Sequence, residues 1–318
     1  MIISCDWGTS SFRMRLVDNP SAGSAPPTIR SSLHRPTGIA TTFSDWQRSG
    51  LPGMQRINFY RAILQGAIDD LQRQSGHDLR GLPVILSGMA SSSIGMLDLP
   101  YHPLPFSVTG EDLQPAILPA TADFPQAIVL MPGIRSENDV MRGEETQLIG
   151  CHVDDDATRL FIFPGTHSKH IGVIRGEVVN FQTFMTGEFF ALLSRHSILS
   201  ASVEDSGNSR SPAFFAGVDA AKRSGLLNSA FSVRTNQLFA KWSKPDNYQY
   251  LSGLLIAEEL KGLTEKSLTL VAGEPLLGSY QVALRRLGFN YLTIDADQAL
   301  VQGHYRLFER HAAGLKNP

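Results

Sequence analysis

Hydrophobic and polar positions change period several times along the chain, and the changes outline alternating strands and helices. Residues 1–18 open with an apolar run, pass through Asp6-Trp7-Gly8-Thr9-Ser10, and then alternate strictly. Phe12, Met14 and Leu16 share one side; Arg13 and Arg15 share the other. This reads as strand, turn, strand, with the two arginines on the exposed face. A loop follows at 19–27, and the segment up to Leu51 has no clear period. From Ile57 the spacing turns helical: Ile57, Tyr60, Ile63, Leu64, Ala67, Ile68 and Leu71 line one face, and Gly76 is placed to end it. Residues 82–93 and 127–135 predict buried strands that run into small residues. Residues 136–152 predict a loop feeding a helix, with Leu148 and Ile149 inward.

A polar break at 154–159 is the expected boundary between domains at 1–154 and 155–318. The second half opens with strand, turn and strand over 160–174, a third strand over 176–188, and a helix from Glu188 to His196. A polar loop at 200–211 precedes a helix that starts at Ser211-Pro212 and stops at Gly225. Another helix is expected over Tyr250 to Leu260, then a strand at 267–273. Leu276, Leu277, Tyr280, Ala283, Leu284 and Leu287 mark an amphipathic helix closed by Gly288. A short strand at 290–295 and a last helix to about residue 313 complete the pattern, and that helix has room to pack back on the first domain.

One plan occurs twice. Strand–Asp6-Trp7-Gly8-Thr9-Ser10–strand returns about half the chain later as strand–Pro164-Gly165-Thr166-His167-Ser168–strand. Two similar halves would set two small-residue turns face to face, and a cleft between such turns is a natural ligand site.

Composition narrows the ligand. The 318 residues leave room for about two domains, and a net charge of −2 offers neither a basic stripe for nucleic acid nor a polybasic cluster for an anionic membrane. A small molecule is the expected partner. Cys5 and Cys151 have no metal-binding spacing and make no disulfide framework, so they read as buried thiols in a reducing compartment. No charged leader with an apolar core starts the chain, and no apolar run approaches ~18 residues, so the expected location is the cytoplasm.

The turns themselves suggest chemistry. Glycine lets backbone amides approach closely, and consecutive amides in a turn form an anion nest. Thr9, Ser10, Thr166 and Ser168 add hydroxyl donors, and Lys169 adds a mobile positive charge. Asp6 would repel a phosphate directly but can hold a hydrated Mg²⁺ that bridges phosphates. Together these features point to a nucleoside triphosphate. The plain alternative for either turn alone is an ordinary polar hairpin turn; their matched positions argue against it. Neither G-x-x-x-x-G-K-[ST] nor G-x-G-x-x-G after a strand occurs.

DWGTSSFR, PGTHSKH and LVAGEPLLG resemble, in order and spacing, the first phosphate, second phosphate and adenosine motifs of the acetate and sugar kinase/Hsp70/actin superfamily. DVMRGEETQLIG (139–150), FPGTHSKHIGV (163–173), TFMTGEFFALLSRHSIL (183–199) and SGMASSSIG (87–95) resemble the 2-dehydro-3-deoxygalactonokinase family over nearly the whole chain. His170 and Ser91 stand where typical members carry tryptophan and glycine. The resemblance implies an α/β fold of two ribonuclease-H-like domains, mixed sheets with flanking helices, around an ATP cleft. It implies ATP- and Mg²⁺-dependent phosphorylation of the 6-hydroxyl of 2-dehydro-3-deoxy-D-galactonate in galactonate degradation, and is compatible with a homodimer.

Under that resemblance Asp6 positions the metal, and Gly8, Thr9, Ser10, Arg13, Gly165, Thr166, His167, Ser168 and Lys169 hold the phosphates. Gly273 and Glu274 would build the adenosine end. The catalytic acid of the superfamily usually opens a helix about twenty residues before the second turn. Glu144 fits best, with Asp139 close behind, and Glu145 is expected to face solvent. Acids in a first helical turn also simply favour the helix dipole. A sugar acid's own carboxylate wants an arginine fork, for which Arg135 and Arg142 are candidates. Ser87, Gly88 and Met89 would shape the sugar pocket from one domain, and Thr183, Thr186 and Glu188 from the other. Two rival readings stand beside this one: an exopolyphosphatase-like hydrolase of the same superfamily, and a non-catalytic ATP-binding protein of actin or Hsp70 type.

Overall fold

A computed structural model describes residues 1–18, 26–151, 158–205, 211–264 and 267–312. Most of the loop expected at 19–27, positions 154–157 of the polar break at 154–159, positions 206–210 of the loop at 200–211 and the last residues of the chain lie outside the described residues. The chain divides into two compact units. One comprises 1–155, 176–179 and 297–318; the other comprises 156–175 and 180–296.

The first unit runs β1 (Ile2–Trp7), β2 (Phe12–Asp18), β3 (Thr28–Arg35), α1 (Ile39–Ser49), α2 (Arg56–Ser75), β4 (Val84–Gly88), β5 (His102–Pro103), β6 (Phe106–Ser107), β7 (Ala116–Leu118), β8 (Ile128–Leu130), β9 (Ile134–Arg135), β10 (Val140–Met141) and α3 (Glu144–Gly150). Its main sheet has the order β3-β2-β1-β4-β8-β7. The first three strands form an antiparallel meander, β4 and β8 continue parallel to β1, and β7 closes the edge antiparallel. Ile3, Cys5, Trp7, Phe12, Met14 and Leu16 pack against Tyr60, Leu64, Ala67, Ile68 and Leu71 of α2. That helix ends where Gly76 takes a left-handed φ of 71°, as its glycine and the helical spacing before it predict.

The second unit runs β11 (Thr158–Phe163), β12 (Ser168–Ile174), β13 (Glu177–Phe184), α4 (Thr186–His196), α5 (Pro212–Arg223), α6 (Leu226–Leu238), α7 (Lys244–Leu260), β14 (Leu268–Ala272), α8 (Leu276–Leu287) and β15 (Tyr291–Asp295). Its strands lie in the order β13-β12-β11-β14-β15. β11 and β12 are antiparallel, while β14 and β15 run parallel to β11. With the antiparallel edge strands β7 and β6 set aside, both sheets follow the same 3-2-1-4-5 order, the ribonuclease-H-like arrangement. The opening residues of β13 are grouped with the first unit, where Glu177 and Val178 pair with Ser107 and Phe106. From residue 297 onward the final helix, α9 (Ala296–His311), also belongs to the first unit.

Four elements depart from the sequence expectation. β3 and α1 occupy the stretch without clear period. α6 was not anticipated because its pattern is inverted: Ser229, Ala230, Val233 and Asn236 are buried, while Leu227, Phe231 and Leu238 are exposed. α7 begins at Lys244, ahead of Tyr250, because Ser243 and Asp246 form a capping box around its start. Arg15 is a correction. It is only 3% exposed, and Nη2 meets Asp297 Oδ1 at 2.6 Å. Strict alternation implies a solvated face only where one side of a sheet is open. Ser4, which is opposite Arg15 on β1, is also fully buried, and both faces of this hairpin are covered.

Candidate functional site

In the first unit the β1–β2 turn closes with Gly8 N–H donating to the Ser11 carbonyl at 2.9 Å. Helix α1 then grips the turn from behind. Ile39 N–H donates to the Gly8 carbonyl at 2.9 Å, and Ala40 N–H to the Thr9 carbonyl at 3.1 Å. This contact needs a glycine before the helix: a Cβ on Gly38 would stand 2.3 Å from the Thr9 carbonyl oxygen. Thr9 and Ser10 remain exposed.

Asp6 ends β1 beside this turn. Its cross-strand partner is Arg13, whose Nη1 lies 4.0 Å from Asp6 Oδ2 and 3.7 Å from Asp297 Oδ1. Burial raises the Asp6 carboxyl above its ordinary range. The Arg13 and Arg15 charges oppose that shift, whereas Glu144 and Asp297 add to it. Gly88, at φ 83°, passes so close that a Cβ there would lie 2.8 Å from the Trp7 carbonyl oxygen and 3.1 Å from Asp6 Oδ1. Gly143, at φ 113°, comes next: its Cβ position is 3.6 Å from Gly88 Cα. Asp6, Gly88 and the Gly143-Glu144 start of α3 are thus neighbours.

The three acids of this region differ in placement. Glu144 is half-buried, and its Oε2 accepts from Arg142 N–H at 3.1 Å. Glu145 does not face solvent, contrary to expectation. It is fully buried, accepting from Gly143 N–H at 2.6 Å and from the Thr146 hydroxyl at 3.0 Å. Burial first, then the Glu144 charge, push its pKa up to about 7. Adjacent residues on a helix point in different directions, so one of two neighbouring glutamates turns inward. Asp139 lies between β9 and β10, where its Oδ1 accepts from Val140 N–H at 2.7 Å.

Arg142 is held by two residues, Ser91 and Tyr101. Its Nη1 donates to the Ser91 carbonyl at 2.6 Å and also to the Ser91 hydroxyl, and its guanidinium lies 4.3 Å from the Tyr101 ring centre. Nε and Nη2 are buried and have no hydrogen-bond partner among the described residues. Arg135 is exposed on β9. Ser87 also needs correction: it is fully buried, with its hydroxyl 3.0 Å from His304 Nε2 of α9. Met89 is half-buried at the start of a 3₁₀ turn.

The second unit repeats the clamp. Glu188 N–H, in the first turn of α4, donates to the Thr166 carbonyl at 3.0 Å. A Cβ on Gly187 would stand 2.6 Å from the Gly165 carbonyl oxygen. Thr37-Gly38 and Thr186-Gly187 are therefore a second repeated pair, each just after the third strand of its unit. The sequence contains this signal, but it was obscured by the missing period around Thr37. His167 and Glu188 also pair through their side chains.

Three residues at this turn differ from their expected roles. Lys169 is only 5% exposed, and its Nζ donates to the His167 carbonyl at 3.0 Å, so it is fixed rather than mobile. Ser168 is fully buried, its Oγ 3.0 Å from the Tyr280 hydroxyl. Thr186 points its hydroxyl at Glu259 of α7. Thr183 is half-buried on β13. Gly273 follows β14, and among the described residues, its chain neighbours aside, no atom lies within 4 Å of a Cβ built there; Glu274 is exposed. Among the described residues no group of three or more His, Cys, Asp or Glu could hold a metal, and no helix is long and apolar enough to cross a membrane.

The chain matches known proteins along most of its length. A model of the 2-keto-3-deoxy-galactonokinase family covers residues 6–307. A probable 2-dehydro-3-deoxygalactonokinase of Rhizobium meliloti is 33% identical over 313 residues, covering 94% of this chain and 93% of the relative. The 2-dehydro-3-deoxygalactonokinase of Escherichia coli is 33% identical over 233 residues, covering 70% of this chain and 76% of the relative. A crystal structure described as a putative 2-dehydro-3-deoxygalactonokinase, from Sinorhizobium meliloti, superposes with a TM-score of 0.82. It is 28% identical, with 100% of this chain and 98% of that chain covered. The chain belongs to the 2-keto-3-deoxy-galactonokinase family.

Proposed function

We propose that this chain is an ATP-dependent kinase that transfers a phosphoryl group to the 6-hydroxyl of 2-dehydro-3-deoxy-D-galactonate in the cytoplasm. The observation that supports this most directly is the repeated hairpin turn, gripped in each unit by a threonine-glycine helix start. In this reading the Gly8–Ser10 and Gly165–Lys169 turns bind phosphates of one ATP, and Arg13 adds charge beside the first turn. We divide the chain at the 154/155 boundary expected from the sequence, with the short stretch 176–179 and the last helix, from residue 297, going back to the first domain, and with Gly273 and Glu274 at the adenosine end.

Asp6 is the residue that would hold Mg²⁺. Its side chain is 18% exposed at the end of a strand, and the described residues offer no closed cage of ligands. One carboxylate plus substrate phosphates is how Mg²⁺ is commonly bound, so the donor set fits. When present, the ion neutralises charge developing on the phosphates.

Glu144 is the proposed base that takes the proton from the sugar hydroxyl. Its charge is felt at Asp6, and it rides on Gly143 next to Gly88. Asp139 is less favoured because its Oδ1 organises its own loop. Arg142 is the proposed fork for the sugar acid's carboxylate. Its flat face rests on Tyr101 and one nitrogen is anchored on Ser91, leaving Nε and Nη2 unpaired. Buried unpaired donors are uncommon in native proteins, and a carboxylate would satisfy both. Gly88, Met89, Thr183 and Glu188 are assigned to the remaining sugar contacts, and Arg135 remains a secondary candidate. A homodimer is compatible with this reading, and sedimentation measures it directly.

The test is ATP consumption over a panel of 2-keto-3-deoxy sugar acids, with Asp6→Ala and Glu144→Ala alongside the wild type. The expected result is turnover that requires the sugar acid and is lost in Asp6→Ala. Phosphate release without any sugar acid would point to a hydrolase instead.

A further inference from the structure

We propose that Glu259 is a positioning residue for the second phosphate turn, acting through Tyr280 and Ser168. The inference rests on reading the 165–169 turn as a phosphate site. Glu259 sits on α7 with its side chain 1% exposed, and three donors from three other elements converge on it. His170 Nε2 of β12 lies 2.9 Å from Oε1. The Tyr280 hydroxyl of α8 lies 2.6 Å from Oε2, and the Thr186 hydroxyl of α4 meets the same oxygen.

An ionised carboxylate only accepts, so it dictates the direction of every bond leading to it. Tyr280 has one proton and must give it to Glu259. Its oxygen can then only accept; its other hydroxyl neighbours are Thr186, whose own proton goes to Glu259, and Ser168, whose Oγ lies at 3.0 Å. Ser168 must therefore point its hydroxyl proton inward at Tyr280. That leaves its lone pair facing Gly165 N–H, which donates to Ser168 Oγ at 3.3 Å. One carboxylate thus orients a relay from the backbone of the turn to the interior: Gly165 N–H to Ser168, Ser168 to Tyr280, Tyr280 to Glu259. Through Thr186 the same carboxylate also fixes the start of α4, whose Gly187-Glu188 backbone presses on Gly165 and Thr166.

Two consequences follow for the turn. The Ser168 hydroxyl is a strut for the loop, not a donor to phosphate. The turn is held from both ends by a single buried network. A buried carboxylate is a costly way to fill a core, and an apolar side chain would often be as stable. Its use here is orientation: a polar network with every member satisfied selects one arrangement.

Three full-length variants test this: Tyr280→Phe, Ser168→Ala and Glu259→Gln. Tyr280→Phe removes one oxygen, leaving Glu259 with His170 and Thr186, and serves as the main probe if Glu259→Gln fails to fold. Each variant is measured for ATP affinity by calorimetry and for KM of ATP and of the sugar acid. The expected result is ATP binding weakened about tenfold in Tyr280→Phe, with the sugar-acid KM within about twofold of wild type. The Tyr280→Phe/Ser168→Ala pair should be no weaker than either single variant, because both cut one chain. Unchanged ATP affinity in a folded Tyr280→Phe, equal losses for both substrates, or full additivity of the pair would overturn the proposal. Calorimetry separates the two readings. A wild type that binds ATP but phosphorylates no sugar acid removes the kinase assignment and leaves the relay to be judged on affinity. A wild type that does not bind ATP removes both.

Discussion

His304 shows how much a single buried side chain can tie together. Its Nδ1 lies 2.7 Å from Ser4 Oγ on β1 and its Nε2 3.0 Å from Ser87 Oγ on β4, so α9 is joined to the two strands that end at Asp6-Trp7 and Gly88. Burial, then the nearby Arg15 charge, lower its pKa to about 3. The folded protein therefore holds a neutral imidazole where the unfolded chain binds a proton below about 6.5. Between those values the unfolded state carries the extra proton, so this group makes stability rise with pH. Urea unfolding of wild type and His304→Gln should show wild type losing ~2 kcal/mol relative to the variant between pH 7.5 and pH 5. Glu145 titrates with the opposite sign: its raised pKa makes stability fall as pH rises from about 4.5 to about 7. Both proteins carry it, so the difference isolates His304. Parallel curves would show that His304 does not stay neutral in the fold. Arg142 gives a second prediction at this scale. Arg142→Lys keeps the charge but loses the planar fork, and should raise the sugar-acid KM by about tenfold or more while leaving the ATP KM near wild type; steady-state kinetics reads both.

Elements in this protein approach one another through glycines. A Cβ on Gly303 of α9 would stand 1.9 Å from the Thr146 carbonyl oxygen of α3, and one on Gly150 of α3 would stand 1.7 Å from the Ala299 carbonyl oxygen. Gly217 and Gly253 play the same part between α5 and α7. Alanine ordinarily improves a helix by ~1 kcal/mol over glycine, yet at Gly303 a carbonyl leaves no space. Gly303→Ala should therefore destabilise by ~2 kcal/mol or more, read as a lower midpoint in urea. The clamps at the turns follow the same geometry. Gly38→Ala and Gly187→Ala should each weaken ATP binding about tenfold, since the obstructing atoms are the backbone of the phosphate turns themselves; an unchanged affinity in either folded variant would mean that its turn does not contact the nucleotide. These helix starts were the part of the sequence hardest to read. Thr37-Gly38 lay in a stretch without period, and α6 carries its apolar residues outward. Periodicity reports apolar burial on one face of an element; α6 fails that condition, and α1 meets it with only Ile39, Thr42 and Trp46 buried, one of them polar. The hairpins, α2, α5, α8 and the glycines that close α2 and α8 satisfy it, and they are legible.

At the scale of the whole molecule, one plan is used twice. Each unit has a meander of three strands, two parallel strands after it, a small-residue hairpin turn and a threonine-glycine helix start that grips that turn. The first repeat, Gly8 with Gly165, is visible in the sequence because each turn follows an apolar strand run and leads into a second strand. Side-chain direction was not visible. Ser87, Ser168 and Thr186 carry the right atoms for ligand contacts but send them inward to His304, Tyr280 and Glu259. Their inward turn depends on partners more than seventy residues away along the chain, which no local pattern encodes. The fold and the positions of the turns follow from local chemistry, whereas the identity of the groups that touch a ligand follows from packing. The central claim is the transfer itself. Incubation with ATP, Mg²⁺ and 2-dehydro-3-deoxy-D-galactonate, followed by phosphorus and carbon NMR of the product, tests it most directly. The account predicts one ADP per new phosphate ester, with phosphorus attached through the C6 oxygen. ADP formed without the sugar acid, or an ester at another carbon, would contradict it.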